Sequence, residues 1–223
     1  MKTNFKISEV ENQLLIKELI ERYPELLAVE NEIRKAAESL IACYEQGGKV
    51  LVCGNGGSCS DSDHIVSELM KGFEHKRPVT EELKTHLKEI DGDRGAYLAE
   101  KLQLGLPAIS LTAHSGLITA VANDTDANLI FAQQVVGYGI EGDVLIAISS
   151  SGNSQNVIDA LITAKAKGLT VIGLTGETGG EMNHFCDILI NVPGTRTAFV
   201  QELHLPVYHT LCLVVENHFF KNN

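Results

Sequence analysis

The chain has 223 residues, 44% of them hydrophobic and 21% charged, the balance of one ordinary globular domain whose core needs no staples. Its net charge of −11 argues against a general nucleic-acid binder and against a binder of anionic membranes. A phosphorylated small molecule stays open, because backbone N–H groups hold phosphate without any lysine.

The five cysteines, Cys43, Cys53, Cys59, Cys186 and Cys212, are odd in number, widely spread and free of any CxxC pair. Cys53, Cys186 and Cys212 sit in apolar surroundings and read as reduced core residues, and the missing CxxC disfavours a finger-type zinc site. The N-terminus lacks an apolar signal core and no run of 18 apolar residues occurs, so a cytoplasmic protein without a membrane span is expected.

In chain order, residues 8–23 carry Val10, Leu14, Leu15 and Leu19 at helical spacing behind Ser8 as N-cap. Pro24 restarts the helix. Leu26, Leu27, Ile33, Ala37, Leu40, Ile41 and Tyr44 extend an apolar stripe to Gln46, closed by Gly47 and Gly48. These helices either cover the sheet or pack against another subunit. Five short apolar runs, at 49–53, 107–111, 143–148, 170–174 and 187–191, read as parallel strands covered on both faces. Helical stretches alternate with them at 61–73, 115–136, 154–167, 180–185 and 197–219. The expectation is a single α/β domain over 1–223: a doubly wound, three-layer α/β/α sandwich with about five parallel strands and extra N-terminal helices. Residues 79–105 are charged, with Gly92 and Gly95 midway. They read as two short helices inserted at the strand-end face where ligands bind, as a lid or a subunit contact.

The densest chemistry lies at 50–72, VLVCGNGGSCSDSDHIVSELMKG. Strand, glycine-rich turn and helix is an arrangement that cradles an anion. His64 and Glu68, four residues apart, share one helical face. No Walker lysine follows, and Gly54-Asn55-Gly56-Gly57-Ser58 is not GxGxxG, so a dinucleotide site has weak support. After the third strand, Ser149-Ser150-Ser151-Gly152-Asn153-Ser154 offers hydroxyls and N–H groups at a helix N-terminus, which suits phosphate; a plain cap and turn is the other reading. The glycine-rich run at 176–180 is a further polar segment at a strand end where a ligand could sit, with an ordinary turn the favoured reading. On the last helix Gln201, His204 and His209 interrupt an apolar run, and Pro206 disturbs its early hydrogen bonding. Gln201 and His209 lie about two turns apart along that helix. With His64 and Glu68 they could supply N and O ligands to one divalent ion, a thiolate-free set suited to an open catalytic zinc. Satisfied structural histidines are the alternative.

CGNGGSCSDSDHIVSEL at 53–69, AVANDTDANLIF at 120–131, GDVLIAISSSGNSQNVIDAL at 142–161 and VQELHLPVYH at 200–209 resemble the signature segments of the sugar isomerase (SIS) domain family. Within it they resemble the phosphoheptose isomerases, over nearly the whole chain outside 79–105. The resemblance implies a flavodoxin-like SIS sandwich and one zinc ion per subunit, held by His64, Glu68, Gln201 and His209. It implies a sugar site lined by Asn55, Gly56, Gly57, Asn123, Asp124 and Gln201, and a phosphate held by Ser149, Ser150, Ser151 and Ser154. Glu68 and His209 would be the acid/base pair, converting sedoheptulose 7-phosphate to D-glycero-D-manno-heptose 7-phosphate through a zinc-stabilised enediol. The implied assembly is a homotetramer with active sites between subunits and residues 1–47 at the interface. Two departures bear on the substrate. Thr197 and Ala198 stand where an aspartate is common, and Lys71 and Gly72 where an arginine is. Rival readings are an isomerase of another phosphosugar, a non-catalytic SIS adaptor resembling the DnaA initiator-associating protein, and a sugar-phosphate-sensing module.

Overall fold

The structure, a computed structural model, describes residues 2–221. Strands β1 (Val50–Gly54), β2 (Ala108–Ser110), β3 (Val144–Ile148), β4 (Thr170–Thr175) and β5 (Ile188–Asn191) form one parallel sheet in the order β2-β1-β3-β4-β5. Val50 pairs with Ala108 on one side and Val144 on the other, which sets the register. β1 and β3 are buried at every residue. Alternate side chains enter two cores. Val50, Val52, Ile146, Ile148, Ile172 and Leu174 face one; Leu51, Cys53, Leu145, Ala147 and Val171 face the other. The first core is closed by α1 (Lys2–Arg22), α2 (Glu30–Glu45), α3 (Gly57–Met70) and α9 (Thr197–Phe220). α7 (Ala132–Tyr138) and α8 (Gln155–Ala166) close the second. The chain leaves β1 to one side for β2 and then crosses to β3 on the other. That reversal opens a crevice at the carboxyl ends of β1 and β3.

The N-terminal helices depart from expectation in detail. α1 begins at Lys2, so no cap stands at Ser8; that side chain and Val10 lie outside the described side chains. Ile16 and Leu19 are buried whereas Leu14 points outward, and a 3-10 turn over Pro24–Val29 leaves Leu27 exposed while Leu26 enters the core. Gly47, at φ +77, ends α2 in the left-handed region that glycine adopts freely. α9 is long and apolar enough to cross a membrane by composition, yet its Val207, Leu211, Val214 and Val215 line the first core.

Two expectations are corrected. The helix expected over 115–136 is broken into α6 (Ser115–Asp124), a 3-10 turn (Ala127–Leu129) and α7. The reason is local: Thr125 leaves helical geometry, and the Asp126 carboxylate accepts from Asn128 N at 2.8 Å. The insertion forms the expected pair of helices, α4 (Glu81–Ile90) and α5 (Gly92–Lys101), but not at the strand-end face. Its root is tied to the far end of α3. Leu106 N donates to Leu69 O, Leu104 N to Arg77 O and Gly72 N to the Gln103 side chain. Since α3 runs back from the carboxyl end of β1, the root of the hairpin stands at the amino end of β2, at the opposite end of the strands from the crevice. The helices touch closely at Gly95, where a Cβ would collide with the Leu87 carbonyl.

Candidate active site

Two loops meet at the crevice. The β1–α3 turn is so tight that α3 starts at Gly57 rather than at residue 61, with Gly56 at φ +57. A Cβ on Gly57 would collide with Gln201 Nε2, so glycine here lets α9 approach the start of α3. Asn55 and Asn156 exchange side-chain hydrogen bonds at 2.8 and 3.0 Å and so bridge the glycine loop to the first turn of α8. In the serine loop, Ser149 is buried with its Oγ 3.1 Å from Ser154 Oγ, and Ser151 Oγ accepts from Asn153 N at 3.2 Å. Ser154 is the N-cap of α8 yet makes no side-chain cap bond. The uncapped first turn therefore presents donor groups and positive dipole to the crevice. Behind it, the 176–180 turn is backing: Gly176 N donates to Ser150 O, and Glu181 N to Asn153 Oδ1. The crevice suits phosphate.

About 10 Å further along α3, counted from Gly57 to His64, a second cluster forms where α3 crosses α9. His64 Nε2 lies 3.2 Å from Glu68 Oε1, and Lys71 Nζ donates to Glu68 Oε2 at 3.1 Å. Lys71 thus places a cation on this carboxylate in the segment where the resemblance leads one to look for arginine. The His209 ring packs edge-on to His64 at 4.9 Å between centroids, and its Nε2 is buried without a hydrogen-bond partner. Burial, followed by the neighbouring His64, holds the His209 imidazole below its ordinary pKa, against the pull of Glu68. It is a neutral, unpartnered nitrogen beside a carboxylate.

Of the expected ligands, His64, Glu68 and His209 are gathered here, while Gln201 lies about two turns up α9 against Gly57. Among the described residues, no group of three His, Cys, Asp or Glu stands at metal-holding distances. The donors nonetheless fit zinc chemically: two imidazoles, a carboxylate and an amide, with one buried nitrogen unspent. Asn123 and Asp124 are exposed at the end of α6 and bond each other at 2.8 Å; no described contact joins them to the cluster. His204 is fully buried, and burial pushes it down to about 4, which makes it a neutral core residue.

Sequence reasoning passed over three residues of the cluster. Phe73 stacks edge-on against His209 at 5.3 Å, Tyr208 contacts His64, and Asp61 contacts Tyr208. Asp61 precedes His64 by three residues and was detectable as its neighbour on one helical face. Tyr208 adjoins His209 in sequence but had no pattern to mark it.

The SIS domain family pattern matches residues 16–96 and 92–176. A phosphoheptose isomerase of Burkholderia pseudomallei is 41% identical over 188 residues, which are 84% of this chain and 82% of that one. One from Aneurinibacillus thermoaerophilus is 36% identical over 96% of this chain and 94% of its own. Among solved structures, a phosphoheptose isomerase from Francisella tularensis superposes with a TM-score of 0.71 at 32% identity, covering 96% of this chain and 98% of that one.

Proposed function

The chain belongs to the SIS domain family and, within it, to the phosphoheptose isomerases, and on that footing we propose that it is a cytoplasmic aldose–ketose isomerase of a phosphosugar. The substrate pair we favour is sedoheptulose 7-phosphate and D-glycero-D-manno-heptose 7-phosphate. The observation that carries the reading is that His64 touches both Glu68 and the ring of His209, whose Nε2 is unpartnered, where α9 crosses the helix that starts at the anion crevice.

Isomerisation moves a proton between adjacent carbons through an enediol. Glu68, 9% exposed, is placed to take the proton from one carbon. Neutral His209 is placed to serve the oxygen or the second carbon. Ser149, Ser150, Ser151 and Ser154, with the first turn of α8, would hold the phosphate, and Asn55, Gly56 and Gly57 would flank the sugar. Zinc held by His64, Glu68, Gln201 and His209 would supply Lewis-acid polarisation of the carbonyl and hydroxyl. Lys71 holds the second oxygen of Glu68, which fixes the direction in which the carboxylate faces. We also propose a homotetramer with active sites between subunits. That exposed Asn123 and Asp124 make no described contact with the cluster supports that assembly.

The test is turnover on a panel of ketose phosphates of five, six and seven carbons, with products identified by NMR. Preferential conversion of sedoheptulose 7-phosphate is expected. Faster turnover of a shorter sugar would move the substrate, and no turnover of any would overturn the isomerase reading.

A further inference from the structure

We propose that Tyr208, held by Asp61, is a positioning residue that fixes the ring and tautomer of His64 so that Nε2 is the nitrogen presented beside Glu68. This rests on the reading of His64 as a ligand. Tyr208 is 2% exposed on α9, with its ring edge-on to His64 at 5.5 Å and to His209 at 5.1 Å. A phenylalanine would fill that space equally well, so packing does not account for the hydroxyl. The hydroxyl stands between two groups. It donates to Asp61 Oδ1 at 3.2 Å and lies 3.0 Å from His64 Nδ1.

A phenol has one proton to give. With that proton donated to Asp61, the Tyr208 oxygen meets His64 as an acceptor and Nδ1 carries the hydrogen. Nε2 and Glu68 Oε1, 3.2 Å apart, are then two electron-pair donors facing one space, which a shared cation would satisfy. Asp61 and His64 are three residues apart on α3 and face the same stretch of α9, so the relay closes across the helix crossing without any loop residue. Asp61 has no other side-chain hydrogen bond among the described residues. An imidazole that binds metal through one nitrogen and donates from the other is held in ring angle as well as tautomer, and losing such a partner typically weakens metal binding about 10- to 100-fold.

Tyr208→Phe keeps the ring and removes the hydroxyl. Competition with a chromophoric chelator should show zinc held about 10- to 100-fold more weakly by Tyr208→Phe than by wild type, with the unfolding midpoint little changed. Asp61→Asn should weaken zinc binding less, and should add nothing in the Tyr208→Phe background, since Asp61 acts through the hydroxyl. Wild-type zinc affinity in Tyr208→Phe, or losses that add in full, would overturn the proposal. Nitrogen-15 NMR of the histidines, with His64→Gln for assignment, gives a readout independent of metal. In chelator-treated protein, wild type should show the His64 proton on Nδ1 and Tyr208→Phe should lose that preference. An unchanged Nδ1–H signal in chelator-treated Tyr208→Phe would overturn the proposal whatever the zinc result. A wild type that binds no zinc removes the ligand reading of His64 and leaves the NMR result to decide the positioning role.

Discussion

Gly57 and the serines act through single atoms, and their predictions are correspondingly sharp. A methyl group at Gly57 lands on the amide of Gln201, so Gly57→Ala must displace either that side chain or the start of α3. The expected result is a folded protein with impaired turnover, checked by comparing circular dichroism with kcat/KM; full activity would mean that the approach of Gln201 is incidental. Ser151→Ala removes a hydroxyl from the proposed phosphate loop while Gly152, at φ +68, keeps the turn. We expect KM to rise more than kcat falls. The reverse pattern in steady-state kinetics would assign the loop a different role. At this scale the sequence was informative wherever function leaves a spacing. His64 and Glu68 are legible as an i, i+4 pair on α3, and Gln201 and His209 as polar interruptions of the apolar run of α9. Tyr208 was not legible, because one aromatic among the apolar residues of α9 looks like core until its hydroxyl is seen between two polar groups.

The elements were legible where burial dictates composition. All five strands lie within a residue of the expected runs, because a parallel strand covered on both faces must be apolar nearly throughout. Breaks were harder. The end of α6 depends on Asp126 capping the next turn, a contact that outweighs the apolar spacing of Val121, Ile130 and Val135. Placement of the 79–105 hairpin depends on which end of α3 it leaves, and a list of elements in order does not contain that information. α4 buries no side chain, and Pro78 and Gln103 form an antiparallel bridge at the root. Replacing residues 80–102 with a two-residue Asn-Gly turn should therefore leave the remaining fold intact. A far-ultraviolet spectrum retaining the other helices and a cooperative melt would bear this out, and loss of the cooperative transition would show that the hairpin supports the core.

At the scale of the whole molecule, one buried pair joins α3, the hairpin root and α9. Arg77 and Glu216 are both fully buried, 2.8 Å apart. Arg77 also donates to the carbonyls of Glu68 and Leu69, and Glu216 accepts from the backbone N–H groups of Phe73, Glu74 and His75. Burial alone would raise the Glu216 pKa, but those N–H groups and the guanidinium outweigh it and hold the carboxyl below its usual range. A depressed folded value contributes stability that is complete above the unfolded glutamate pKa, near 4.3, and is lost as pH falls through the folded value. Glu216→Gln leaves Arg77 buried and unpaired, at an expected cost of about 3–5 kcal/mol at neutral pH. Denaturant unfolding should show that gap at pH 7 and show it narrowing below pH ~4. A gap that stays constant with pH would mean the carboxylate is not the stabilising form.

Whether the α3–α9 crossing is a metal-assisted acid/base site is decided by measuring zinc content and kcat together on wild type, Glu68→Gln and His209→Ala. About one zinc per wild-type chain is expected, reduced in both variants, with a kcat lower in each by roughly 10²- to 10⁴-fold and the fold intact. Variants that match wild type in metal and in turnover would contradict a metal-assisted site there.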